Sequence, residues 1–345
     1  MNDRSRPSPN AVSVVLLVSA LGLSFLLLWY VLDVLLLVFA GLLVAIFLRG
    51  TSNLVARKTG FSDKPSLALV VVGLGGIAVL GAWLLAPDMI DQLNRMFQEL
   101  PNSVQEVRDK LSQSPIGKAI LSLVPDPRKL LDHFGGIVRQ ATGFLSTMMG
   151  AFISFIIAIF IGLYFSINPS YYVDGVISLI PQNRRKRFRE VFAAVASTLH
   201  WWLLARLLSM SFIGLVTGVG LWLLGIPMAL ALGILAAILS FIPNIGPVLS
   251  AVPAVLLSLT SGYYTAVYVV ILYLFIQSIE SYVMMPIIQQ RTISLPPVLT
   301  LTAQLVAGIL MGMPGIIIAT PLAAAVMVLV RMLYIEDVLG NRTQE

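Results

Sequence analysis

The sequence predicts an all-α, polytopic membrane protein with about six full spans plus two hydrophobic segments broken by proline and glycine. Three observations carry this. Hydrophobic residues make up 58% of the chain and charged residues 11%, whereas about a quarter of a soluble domain is charged. The apolar residues gather into runs of the roughly 20 residues that a crossing helix needs. Two runs near the C-terminal end break at matching places, at Pro243-Asn244-Ile245-Gly246-Pro247 and at Gly312-Met313-Pro314-Gly315. Each break leaves backbone N–H and C=O groups that lipid cannot satisfy, so they must line a cavity or be buried in protein.

Residues 11–48 carry one charge, Asp33. As a single helix they would reach about 57 Å, against about 30 Å of hydrocarbon. They are expected to form a hairpin of two spans that turns at Trp29, Tyr30 and Asp33, where the aromatic rings favour the headgroup level. Asp33 reads as a wetted turn residue. A run from Arg4 and Arg6 into such a long apolar stretch, with no A-x-A cleavage pattern, reads as an uncleaved first helix. A basic loop at 49–65 leads to a third span over 66–86, ending at Pro87-Asp88. Its Gly73, Gly75 and Gly76 suit close helix packing.

Residues 88–140 form the long polar stretch. Ile90, Leu93, Phe97 and Leu100 recur at helical spacing, and Pro101, Pro115, Pro125 and Pro127 punctuate the stretch into short helices. A fourth span covers 143–166. Next, Arg184, Arg185, Lys186, Arg187 and Arg189 crowd the start of a helix. Its Phe188, Val191, Phe192, Val195, Leu199 and Trp202 share one face. That pattern describes a basic amphipathic helix lying on the membrane surface. His200 falls where this helix enters the bilayer and reads as an interfacial residue, because no second histidine is near. A fifth span follows at 207–225, then the first broken segment (228–259), an apolar helix (263–286) and the second broken segment (297–333). Four units result. They are N-terminal membrane helices (1–86), an extracytoplasmic helical insert (87–142), the fourth span with the basic helix (143–206), and a transport core (207–345).

Charge orients the chain. With the N-terminus in the cytoplasm, the tail holds Asp3, Arg4 and Arg6, and the 49–65 loop sets Arg49, Arg57, Lys58 and Lys64 against Asp63. Residues 167–206 add six basic residues against Asp174 and Glu190, all on the inner side, as the positive-inside rule requires. Each broken segment is long for one crossing unless strongly tilted. Read as re-entrant hairpins, the first enters from outside and the second from the cytoplasm. Both termini are then cytoplasmic, and helix 207–225 plus hairpin repeats, inverted, as helix 263–286 plus hairpin. Gly246-x4-Ala251-x-Pro253 and Gly315-x3-Ala319-x-Pro321 echo that repeat.

Paired broken segments point to a secondary transporter's binding site. Glu280 is the one acid deep in the apolar half, with Gln277, Tyr273 and Met284 on its helical face. An ionisable residue inside the membrane is a functional candidate by default, here as a proton carrier. The competing reading pairs Glu280 with Arg291 or Arg206 for packing alone. At the tips, Pro243, Asn244, Gly246, Gly312 and Gly315 are candidates for solute or ion contact. Gln304, Thr300 and Thr302 read first as interhelical hydrogen-bonding groups. The chain has no cysteine and two well-separated histidines, so no metal site or cofactor is expected. Its net charge of +6 orients it in the membrane and does not signal nucleic acid. The absence of a P-loop argues against direct ATP-driven transport, and no catalytic constellation assembles.

The segments Ile242–Pro247, Gln277 with Glu280, Leu295–Pro297, and Gly312, Gly315, Ala319 and Pro321 resemble the signature regions of the autoinducer-2 exporter family, the PerM-like permeases. The resemblance spans nearly the whole chain. It implies a secondary transporter or exporter in the bacterial inner membrane, homo-oligomeric and of up to five subunits. The expected cargo is a small polar signal such as autoinducer-2, or ions in sodium/proton antiport. A passive channel formed in an oligomer is the alternative. Where the family often carries a glycine–basic pair, this chain has Gln289, Gln290 and Arg291, so the resemblance leaves the substrate open.

Overall fold

The computed structural model describes residues 11–112, 141–286 and 295–340, and all regular structure among them is helical. Nine helices follow in order: α1 (Ala11–Thr59), α2 (Asp63–Ser112), α3 (Ala141–Ile167), α4 (Pro169–Ser178), α5 (Arg185–Leu223), α6 (Ala229–Leu239), α7 (Ile245–Ser261), α8 (Tyr263–Ile279) and α9 (Pro297–Leu329). The chain is an all-α, multi-pass membrane protein. Among the described residues, five helices are long and apolar enough to cross a bilayer, or six if the bent α3–α4 pair counts as one span.

Two expectations are corrected. The turn at Trp29–Asp33 does not exist, because α1 is one helix of 49 residues. Neither glycine nor proline occurs between Leu23 and Ala40 to break it. Residues 1–10 lie outside the described part. Likewise α2 does not stop at Pro87 but continues through Pro101 to Ser112. Pro115, Pro125 and Pro127 fall outside the described residues. The basic segment is continuous with the fifth span, as expected: it is the first part of α5, 39 residues long, with neither glycine nor proline before Gly214.

The apolar stripe on the start of α5 is buried in protein. Val191 and Leu199 are fully enclosed. Leu199, Trp202 and Leu203 pack with Leu43 of α1 and Ala324 and Ala325 of α9. Small residues let other helices approach closely. Gly162 of α3 lies against Val44 of α1, and Gly41 faces Ile161. Between α5 and α6 the backbones nearly touch. A Cβ on Gly233 would sit 2.7 Å from the Gly218 Cα, and one on Gly214 would meet the Ala237 Cβ at the same distance.

Both broken segments fold back on themselves. In the first, α6 and α7 share one core in which Ala231 and Leu232 pack with Ala254 and Leu257. The chain reverses at Asn244, whose φ of 66° is a left-handed value that asparagine tolerates better than most residues. In the second, Gly312 at the tip has φ 64° and ψ −148°, a conformation essentially confined to glycine. The two arms of α9 then run side by side. Gln304 hydrogen-bonds Thr320 at 3.4 Å, although the pair would lie about 24 Å apart on a straight helix.

The hairpins enter from opposite ends. The base of the first packs beside the C-terminal end of α5, where Leu221 meets Met228 and Ala229. The end of the second meets the start of α5, where Arg187 bonds Glu336 and the Met332 carbonyl. The sequence echo also has a shared geometry. Gly246 abuts the Leu239 carbonyl and Gly315 abuts the Ala307 carbonyl, each glycine opening the return arm at a point where a side chain has no room. Replacing Gly233 with leucine should therefore destabilise the fold by about 3 kcal/mol or more. Gly73→Leu, at an exposed position with nothing near its missing Cβ, should be close to neutral. Thermal unfolding of the purified variants in detergent, read against wild type, checks both.

Candidate functional site

The residues that the sequence singles out meet at the tip of the first hairpin. Arg206 arrives from α5 and Glu280 from the end of α8, each 6% exposed. Arg206 Nη1 donates to Glu280 Oε1 at 3.0 Å, and its Nε donates to the Phe241 carbonyl at 3.3 Å. Gln277 Nε2 donates to Glu280 Oε2 at 3.3 Å and to Ser281 Oγ at 3.4 Å. Glu280 also opens a π-helical turn, Glu280–Met284, a local widening that recurs at functional sites. Tyr273, on the same helix, donates to the Ser250 carbonyl at 3.2 Å and so ties α8 to α7.

Gln304 closes the other side. Its Nε2 donates to the Pro243 carbonyl at 3.3 Å and to Thr320 Oγ1 at 3.4 Å. One buried amide therefore joins both arms of the second hairpin to the tip of the first. The carbonyls freed by the break at Pro243 face side chains from α5 and α9, which satisfy them inside protein. Two polar atoms in this cluster are buried and lack a protein partner, Arg206 Nη2 and Gln304 Oε1.

Among the sequence candidates, Pro243, Gln277, Glu280 and Gln304 are brought together here. Asn244 and Gly312 stand exposed at their tips, where each serves the backbone reversal. Gly246 and Gly315 are close-approach positions. Thr300 bonds back to the Pro296 carbonyl, while Thr302 is exposed. Arg206 is the partner of Glu280, and Arg291 lies outside the described residues. Sequence reasoning missed Thr320, which carries no signal without the hairpin. It also missed the small-residue spacing Gly214-x3-Gly218 facing Gly233-x3-Ala237, which was there to be read. Among the described residues no three His, Cys, Asp or Glu side chains converge as metal ligands.

The basic residues at the start of α5 largely hold the protein to itself. Arg187 bonds Asp337 and Glu336 at 3.0 and 2.7 Å and the Met332 carbonyl at 3.0 Å. Arg189 pairs with Asp174 at 2.8 Å, and Arg185 caps the Ser178 and Ile180 carbonyls. Arg184 and Lys186 are exposed. His200, expected where this helix enters the bilayer, is buried to 7% exposure against Gly50 of α1.

A helical membrane protein with two opposed hairpins, and a buried ion pair at the tip of one, belongs to the class of polytopic transport proteins. The chain is a member of the AI-2E family transporters, whose family model matches residues 15–335. It is 28% identical to YrrI of Bacillus subtilis over 57% of this chain and 56% of that protein. It is 24% identical to YueF of the same organism over 83% of this chain and 80% of that one. TqsA, the AI-2 transport protein of Escherichia coli, is 32% identical over 39% of each chain. Membrane transport is thus the general function.

Removing one partner of a buried pair leaves an uncompensated charge, whereas removing both is far less costly. Arg206→Met alone should lose about 3–5 kcal/mol of stability, and Glu280→Gln combined with Arg206→Met should recover most of it. Unfolding midpoints of the two variants, compared in one detergent, measure the difference.

Proposed function

We propose that the protein is a gradient-driven secondary transporter of a small polar solute, in which the Arg206–Glu280 pair latches the tip of the first hairpin. One observation carries the reading: the buried pair is bonded to the broken backbone itself, through Arg206 and the Phe241 carbonyl. Protonation of Glu280 would cancel its attraction for Arg206. The guanidinium could then turn its unpartnered Nη2 toward an incoming solute, and the tip would lose one of its two side-chain anchors. The second anchor, Gln304, carries a free acceptor, Oε1. A donor and an acceptor flanking one tip suit a hydroxylated or otherwise mixed donor–acceptor solute, the chemistry that TqsA's AI-2 transport exemplifies. Opposed hairpins meeting at this cluster supply two bodies that can rock about a fixed site.

The α1 end carries Arg57 and Lys58 and the α5 start is basic; by the positive-inside rule we place these, with the C-terminal turn that Arg187 holds, in the cytoplasm. The bacterial inner membrane is the corresponding location.

In proteoliposomes with an imposed proton gradient, wild-type protein should drive solute uptake that collapses with the gradient. Glu280→Gln should retain solute exchange at equal concentrations yet lose most of the gradient-driven rate. Undiminished proton coupling in that variant would discard the latch. Single-channel currents from the wild type would favour a passive pore instead.

A further inference from the structure

We propose that the pocket between α1, α4 and α5 is a binding site for an anionic phospholipid of the bilayer, with the phosphate at Arg49, Arg57 and His200 and the acyl chains along α1. The pocket encloses about 880 Å³ and lies apart from the Arg206–Glu280 cluster, sharing no residue with it. Its polarity is graded along one helix. Val38, Leu42, Ala45 and Ile46 line the deep part, then Arg49, Gly50, Asn53 and Arg57 line the outer part. The apolar section covers about 12 Å of α1 and the polar section about as much again. One leaflet has the same order, about 15 Å of hydrocarbon followed by the headgroup layer.

The opposite walls agree with this reading. Phe165 of α3, Val173 and Val176 of α4, and Phe192 and Val195 of α5 supply apolar surface. Helix α4 lies across the pocket because the chain bends by 83° after Ile167. It is pinned there by Asp174–Arg189 and by Arg185 on the Ser178 and Ile180 carbonyls. No acidic side chain lines the pocket. Asp63 lies near its rim and is engaged by Arg49, which leaves Arg57 exposed and without a carboxylate among the described residues. His200 lines the inner edge of the polar section. One ring nitrogen turns toward the Ile46 carbonyl, and the other has no hydrogen-bond partner although the side chain is more than nine-tenths buried. A buried donor needs an acceptor, and a phosphate oxygen at the level of Gly50 would be one. Trp201, also in the lining, suits the headgroup depth at which tryptophan concentrates.

The full-length protein, reconstituted in vesicles of equimolar phosphatidylglycerol and phosphatidylcholine and then extracted in mild detergent, tests the site by native mass spectrometry of retained lipid. Phosphatidylglycerol should be retained over phosphatidylcholine by about tenfold, the scale that two basic side chains exert on an anionic headgroup. Asn53→Glu with Arg57→Glu changes two exposed positions. It should abolish the preference while leaving the unfolding midpoint unchanged; should that variant fail to fold, Arg57→Ala alone should still reduce the preference. Equal retention of the two lipids by wild type, or an undiminished preference in the folded variants, overturns the proposal. Displacement of the retained lipid by millimolar inorganic phosphate also overturns it, since the site would then serve a free anion. Gradient-driven flux is not the readout, so the outcome is independent of the Glu280 latch.

Discussion

A broken helix inside a membrane needs partners for the backbone groups it frees, and the C-terminal half of this protein is organised around meeting that need. The Phe241 and Pro243 carbonyls lie where lipid offers no donor and where an unmet group costs several kcal/mol. Arg206 and Gln304 supply the donors. Bringing a guanidinium to that depth creates a second debt, since a buried charge must itself be paired. Glu280 meets it from α8, and Gln277 steadies the far carboxylate oxygen. One break in the chain thus fixes the relative placement of α5, α8 and both hairpins.

The same need explains why the two hairpins interlock while approaching from opposite ends. Gln304 is the joint. It can reach Thr320 only because Gly312 reverses the chain, and it can reach Pro243 only because Asn244 turns the first hairpin toward it. The close approach of α5 to α6 through glycine holds the first hairpin against the helix that carries Arg206. Weak contacts of small residues and a few strong polar bonds therefore divide the work. The former set distances between rods, the latter set where the rods are interrupted. An assembly held by a few polar bonds at one tip is also one that the proposed protonation of Glu280 would loosen.

The sequence was legible where a signal is local. Apolar runs announce membrane helices regardless of what surrounds them, and Pro/Gly breaks announce chain reversal because no helix tolerates them unaided. Glu280 stood out because an acid in an apolar run is rare, and Gln277 because three residues along a helix is one face. Reading failed where length stood in for a turn signal. Residues 11–48 are too long for one crossing, yet nothing at Trp29–Asp33 breaks the chain, and α1 runs through them as one helix. At Pro87 the apolar span does end, at Leu85, but the helix does not, because proline there is accommodated within α2.

By itself, then, the sequence determined the all-α membrane class, the two interruptions and the residues able to carry charge at depth, since these depend on composition and on spacing along one helix. It could not decide which of two arginines Glu280 would meet, that Gln304 would bridge two hairpins, or that the amphipathic start of α5 would pack Leu199 and Trp202 against α1 and α9. Those depend on contacts between residues tens or hundreds of positions apart. An apolar stripe looks the same whether lipid or protein covers it, and only the packed structure says which one does.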